Sequence, residues 1–284
     1  MTTLLLAAAL AFTPADAKLA YRTAREFTGK CTPRDAGTMR GYFAANFILD
    51  SASSTGADVV KDSFTDATPR GKRKFTNLTS EFVFDKDGEW VVVVSHYDTK
   101  SGVQSPGAND GASTTGLLVA LADVLRRAEA LKGNVMLLWT DGEECIETYA
   151  HNDGFWGSKH AAAKLKSEGR KVRAVICLDM LGDRQLNISL PRNTSPALRK
   201  IALLAAKRAG EADKVRAVDD LVKDDHLAFV EAGYKAITLI DFNYGSAPGK
   251  NDYWHTPLDS IDKISEESLF VSGKIVTEML NILL

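Results

Sequence analysis

Two apolar rhythms alternate along the chain. Short unbroken apolar runs lie within "WVVVVSH" (90–96), "VMLLWT" (135–140), "RAVICLDM" (173–180) and "AITLID" (236–241), each bounded by polar residues. Strands covered on both faces read this way, because neither side of the pleat can be polar. Between them, apolar positions recur at three- and four-residue steps, the helical spacing. Residues 36–50 place Met39, Phe43, Phe47 and Ile48 on one helical face. The stretch "GASTTGLLVALADVLRRAEAL" (111–131) carries the stripe Leu117, Leu118, Leu121, Val124 and Leu125. Further helices are expected at 157–168, 196–209 and 265–284. The segment "EFVFDKDGEWVVVVSH" reads as a hairpin, Glu81–Phe84 and Trp90–Ser95 around a turn at "DKDG". Alternating strands and helices predict an α/β fold: a mixed, mostly parallel central β-sheet covered by helices on both faces.

Residues 1–17 break this pattern. An apolar stretch from Leu4 to Phe12 is followed by Pro14 and then Ala15-Asp16-Ala17, an A-x-A cleavage pattern, with no Lys or Arg ahead of it. It reads as a secretory signal too short to span a bilayer, which implies a secreted or periplasmic protein. Residues 18–284 then form a single domain with one sizeable core. The composition, 45% hydrophobic and 25% charged with a formal net charge of −2, is that of an ordinary soluble chain. Such a balance gives no reason to expect nucleic acid or an anionic membrane as partner. Cys31, Cys145 and Cys177 contain no Cys-x-x-Cys pair, so a thiolate metal site is not expected. Asn77, Asn187 and Asn193 begin glycosylation sequons.

Polar residues cluster where the apolar runs stop. His96 and Asp98 follow the first run, Asp141, Glu143 and Glu144 the second, and Asp179 ends the third. His255 lies in the loop "NDYWHTPLD" after the fourth, and Asp110 in "GANDGAS" opens the long helix. In α/β sheets ligands bind beyond the carboxyl ends of the strands, so neighbouring strands would bring these clusters to one rim. Singly, each has an ordinary role; Asp110 could cap its helix, for instance. Together, imidazoles and carboxylates form a donor set suited to Zn²⁺. A divalent cation also makes the crowded acids of "DGEE" tolerable, since they then stabilise a charge instead of repelling one another. Glu143 and Glu144 diverge as consecutive side chains, so one can ligate while the other acts as general base.

These motifs, quoted in order as "SHYDT", "GANDGAS", "DGEE", "LDM" and "WHTPLD", resemble those of the zinc aminopeptidases with co-catalytic metals, over nearly the whole of 18–284. The resemblance implies that Asp110 bridges two zinc ions, with His96 and Asp179 completing one site, Glu144 and His255 the other, and Glu143 the base. Several stretches are more similar to the glutaminyl-peptide cyclotransferases on the same scaffold. These are "DSFTDATPRGKRKFTNL", the twelve-residue "CIETYAHNDGFW", the double Asp of "DDHLAFVEAG", and Trp254 before His255. That likeness implies one catalytic zinc on Asp110, Glu144 and His255, and Glu143 shuttling a proton. Asp179 and Asp224 would be a hydrogen-bonded acidic pair, and Trp254 and Tyr149 would contact substrate. The cyclase pattern has a histidine where Thr238 stands and a Trp where Tyr149 stands.

The expected function is therefore a zinc-dependent glutaminyl-peptide cyclotransferase acting on peptide or protein N-termini. The alternative is a two-zinc aminopeptidase. A non-catalytic binding module is disfavoured, because every ligand position and Glu143 are intact.

Overall fold

The computed structural model describes residues 9–150 and 152–284. Its strands are β1 (Val60–Thr68), β2 (Gly71–Phe82), β3 (Trp90–His96), β4 (Asn134–Thr140), β5 (Val172–Asp179), β6 (Ile188–Leu190), β7 (Val215–Ala217) and β8 (Ala236–Ile240). They form one sheet in the order β1-β2-β4-β3-β5-β8-β6-β7. Its centre, β4-β3-β5-β8, is parallel throughout. The helices are α1 (Pro14–Lys30), α2 (Met39–Ser53), α3 (Thr114–Arg126), α4 (Trp156–Ser167), α5 (Pro196–Arg208), α6 (His226–Glu231) and α7 (Glu266–Leu283).

The two-residue period of a strand splits the valine run of β3 between two cores. Val91 and Val93 join Leu137, Ile176 and Ile237 beneath α1, α2, α3, α5 and α7. Val92 and Val94 join Met136, Leu138, Val175 and Cys177 beneath α4 and α6. The predicted α/β architecture, a mixed and mostly parallel sheet with helices on both faces, is the one observed. The stripe of α3 is buried throughout, as are Val119, Ala120 and Ala122, because this helix is wedged between α1 and the sheet.

Two expectations need correction. The segments around "DKDG" do not pair as a hairpin: β2 and β3 both pair with β4, which lies between them. Asn134 organises the connection, its Oδ1 accepting from the Phe84 and Asp85 N–H groups and its Nδ2 donating to Asp85 and Gly88 oxygens. The hairpin is instead β1–β2, closing between Thr68 and Gly71. In α2, Met39 and Phe43 are 69% and 60% exposed, whereas Ala44, Ala45, Ile48 and Ala52 face the core. Ile48 is in the core and Phe47 packs against it on Phe27, so the expected stripe holds at its C-terminal half and fails at Met39 and Phe43, where small residues let α2 sit close to its neighbours.

The export-signal expectation falls partly on residues 1–8, which lie outside the described residues. Beyond them, Leu10 and Phe12 are buried, and the Leu10 backbone exchanges hydrogen bonds of 2.8 and 2.9 Å with the Asn281 side chain. Phe12 lies against Gly273 of α7, where a Cβ would approach its ring to 2.3 Å. Thr13 and Asp16 form a reciprocal capping box on α1. The A-x-A pattern thus ends inside the first turns of α1. No helix among the described residues is long and apolar enough to cross a membrane.

Candidate active site

Because β3, β4, β5 and β8 run parallel, their carboxyl ends emerge at one rim, and the register puts His96 opposite Thr140 and Asp179 opposite Ile240. That rim collects the polar clusters. His96 Nε2 lies 3.1 Å from Asp110 Oδ1 and 3.2 Å from Asp179 Oδ1. His255 Nε2 lies 3.2 Å from Asp110 Oδ2 and 2.7 Å from Glu144 Oε1. Two donor trios result, His96-Asp110-Asp179 and Asp110-Glu144-His255, with the donor atoms in each trio within 4.8 Å of one another. Asp110 belongs to both.

Local backbone geometry makes this possible. Asp110 does not cap α3; it sits in the irregular turn Ala108–Ser113, with non-helical φ −82° and ψ 92°. The next residue, Gly111, has φ +87° and packs against His96 and the Asp98 carbonyl, where a Cβ would lie 3.1–3.3 Å from its neighbours. Only glycine fits there without strain. Met180 and His255 take left-handed backbone angles, φ +54° and +57°, which in non-glycine residues cost of order 1–3 kcal/mol each.

The electrostatics of this cluster reflect its crowding of buried acids around two imidazoles. Burial works against a charged His255, yet hydrogen bonds to Asp110 and Glu144 outweigh it and push the ring up to about 10. His96 is raised well above its ordinary value, against the cost of burial, by Asp110, Asp179 and Asp98. Burial also opposes ionisation of Asp110, but the two imidazoles hold it well below the usual carboxylate range. Burial and the nearby Asp110 charge move Glu144 up to about 7. Burial, with Asp110 and Asp224 adding to it against the pull of His96, moves Asp179 up to about 7. Two imidazoles and three carboxylates in two compact trios are a donor set that fits a divalent metal ion, which would take over the positive charge that the acids now draw onto the imidazoles.

Glu143 lies beside this set without joining either trio. Burial, then the neighbouring Glu144, raise it well above the ordinary range. The Tyr149 hydroxyl sits 3.1 Å from Glu143 Oε2 and 3.0 Å from Glu144 Oε2, and its ring stacks on Phe155. Trp254 stacks on His255 at 3.8 Å and lines the cavity of about 460 Å³ above the donors. Asp224 is buried and accepts from the Asp225 N–H and from the Thr238 hydroxyl, with His226 Nδ1 at 3.9 Å. Burial favours protonating it, but the nearby His226 ring and the Thr238 hydroxyl prevail and lower it. Among the described residues no hydrogen bond joins Asp179 to Asp224.

Other polar residues have structural work. Asp141 accepts from the Thr76 N–H and lies outside both trios; burial, with the Asp98 charge second, pushes it up to about 8. Asp98 accepts from the Glu143 and Glu144 N–H groups, both at 3.1 Å, and so fixes the "DGEE" turn. Trp156 is a core aromatic stacked on Phe75. His160 pairs with Asp62 and stacks on Phe64, so it is tied down rather than free on the surface; His151 lies outside the described residues. Asn77 is buried, donating to Gly157 O and accepting from the Asp141 N–H, so that sequon is consumed by the fold. All three cysteines are unpaired thiols.

Sequence reasoning missed three supports. The buried Arg34 donates to the carbonyls of Tyr97, Pro106, Gly107 and Asp110, tying down the whole loop that delivers Asp110. Asp259 accepts from the Asn109 and Asp110 N–H groups at 2.7 and 3.2 Å. Asp153 gathers the N–H groups of Ile146, Glu147 and Thr148 and so shapes the loop bearing Tyr149. Asp259 had a signal in its place within "WHTPLD"; Arg34, alone in a loop, had none.

Comparison with known proteins agrees with this geometry. The chain is 29% identical over 262 residues to a glutaminyl-peptide cyclotransferase of Drosophila melanogaster, covering 82% of this chain and 72% of that one. It is 30% identical over 225 residues to Aminopeptidase YwaD of Bacillus subtilis, covering 72% and 45%. The crystal structure of an Acidobacteriales bacterium glutaminyl cyclase superposes with a TM-score of 0.89 at 31% identity, covering 100% of this chain and 98% of that one. A family model described as "Peptidase family M28" matches residues 77–280, the stretch that carries every donor above. With most of its length inside that match, the chain belongs to peptidase family M28.

Proposed function

We propose that the protein is a zinc-dependent glutaminyl-peptide cyclotransferase, closing the N-terminal Gln of a peptide or protein into pyroglutamate with release of ammonia. The observation that carries this reading is the seat of Glu143. It is 5% exposed, lies beneath the Tyr149 hydroxyl, and adjoins the Asp110-Glu144-His255 trio at the inner end of the cavity. A base so shielded from water suits a reaction in which nucleophile and electrophile belong to one molecule. Zinc held by Asp110, Glu144 and His255 would polarise the side-chain carbonyl of the N-terminal Gln. Glu143 then takes a proton from the substrate α-amine as its nitrogen bonds to that carbonyl carbon. It returns the proton to the departing nitrogen, which leaves as ammonia. Trp254, stacked over His255, forms the wall against which the folded Gln side chain packs. The likeness to cyclotransferases along nearly the whole chain supports the same reading.

One observation favours a second reading, a two-zinc aminopeptidase: the His96-Asp110-Asp179 trio is as compact as the first. The two are separated by assaying Gln-naphthylamide and Leu-anilide substrates while counting zinc per chain. Ammonia release with one zinc per chain is expected. Release of the aromatic amine with two zincs would replace the cyclase by the peptidase.

A further inference from the structure

The cavity over the metal donors changes character along its length. Its inner end is acidic and buried, formed by Asp110, Glu143, Glu144 and Asp179. Its outer end, on β7 and the loop that follows, carries two cations, Arg216 and Lys223, between the apolar side chains of Val218, Leu221 and Phe242.

We propose that Arg216, assisted by Lys223, forms a carboxylate subsite that selects an acidic side chain or a terminal carboxylate just beyond the reacting N-terminal residue. The proposal rests on a peptide N-terminus as substrate, but not on the choice between cyclisation and hydrolysis.

Three observations support it. First, neither cation has an ion-pair partner within 4 Å among the described residues. Lys223 donates to the Tyr149 carbonyl at 3.2 Å, a neutral acceptor. Arg216 has the side-chain oxygen of Asn187, with its amide turned to accept, 3.2 and 3.3 Å from its two terminal nitrogens. Neither contact neutralises a charge, although Arg216 also interacts electrostatically with the buried Asp241. Asp241 itself accepts from the N–H groups of Asn187 and Asn243.

Second, the charges form a gradient. Four carboxylates at the inner end would outweigh one divalent cation, and two such ions would still leave no net positive charge there to repel the substrate ammonium. Among the residues lining the outer end, two cations stand against one acid, Asp220. A peptide with a free amino group and a nearby carboxylate matches both ends.

Third, Val218, Leu221 and Phe242 line the same end, so a peptide bound there would cover the exposed cations and reduce their screening. Leu221, 65% exposed in the free protein, is placed to be covered by such a peptide.

The test compares kcat/KM for amidated peptides differing only in the second residue, Glu, Gln or Lys, together with the free acid and amide of one dipeptide. Glu is expected to exceed Lys by about tenfold at low salt, with the ratio shrinking as salt rises. The dipeptide pair tells a side-chain carboxylate from a terminal one. Arg216→Met with Lys223→Met should bring the ratio close to one, while Asp220→Asn should widen it; circular dichroism and zinc content establish that each variant is folded. A ratio near one in the unaltered protein, or an unchanged ratio in the double variant, would overturn the proposal. Each ratio is read both as ammonia from Gln peptides and as leucine from Leu peptides. Charge selectivity in leucine release without cyclisation would therefore sink the cyclase reading alone.

Discussion

At the scale of single residues, the site separates two adjacent glutamates by environment. Glu144 reaches the Asp110-His255 pair, while Glu143 turns under Tyr149 and touches no imidazole. On the proposed role, Glu143→Gln should bind zinc as the unaltered protein does and lose about 10²–10⁴ in kcat, the usual worth of a positioned general base. Metal analysis and steady-state kinetics on one preparation check this, and normal turnover would remove Glu143 from its role. Away from the donors, burial pushes the Asp241 carboxyl up to about 7 although it accepts two backbone N–H groups. A carboxyl with a raised folded-state pKa binds its proton more tightly folded than unfolded. Its penalty is absent below about pH 4, grows through the interval to pH 7, and is complete above it. Stability should consequently fall with rising pH across that window. Asp241→Asn should flatten the fall, as read from urea midpoints at several pH values.

At the scale of elements, each donor depends on a connection held from outside. Arg34, on the loop between α1 and α2, spends its guanidinium on four carbonyls between Tyr97 and Asp110 and stacks on Phe27 at 4.8 Å. Arg34→Met would leave those carbonyls without their charged donor, a loss of roughly 3–5 kcal/mol for a buried charged group. The expected outcome is a lower denaturation midpoint and zinc surrendered at lower chelator concentration, because the loop carrying Asp110 is released. Unchanged zinc retention would show that Asp259 alone secures the loop through its bonds to Asn109 and Asp110. The α2 helix teaches a complementary lesson. Of its large side chains, Ile48 and Phe47 meet the core as expected, but close packing turned Met39 and Phe43 out and put alanines inside.

At the scale of the whole molecule, the first described residues belong to the same body as the last helix. Burying Leu10 and Phe12 contributes roughly 1.5–3 kcal/mol each, and the Thr13 cap about 1 more. A chain beginning at Lys18 should unfold several kcal/mol more easily than one retaining residues 9–17, as measured by denaturant titration of both. Equal stability would mean that α1 holds without its cap. What the sequence by itself determined was period and chemistry. Apolar runs identified the parallel strands, and residue types after them identified His96, Asp110, Glu143, Glu144, Asp179 and His255, because both depend on local spacing and side-chain type. The tertiary structure alone decided what distance decides. Strand order placed β4 between β2 and β3 and dissolved the expected hairpin, since pairing between distant segments leaves no periodic trace. It also brought Arg34 under Asp110, and Arg216 to the cavity that Glu144 closes from the other end. Such meetings depend on how helices and sheet pack in three dimensions, and no stretch of chain records them.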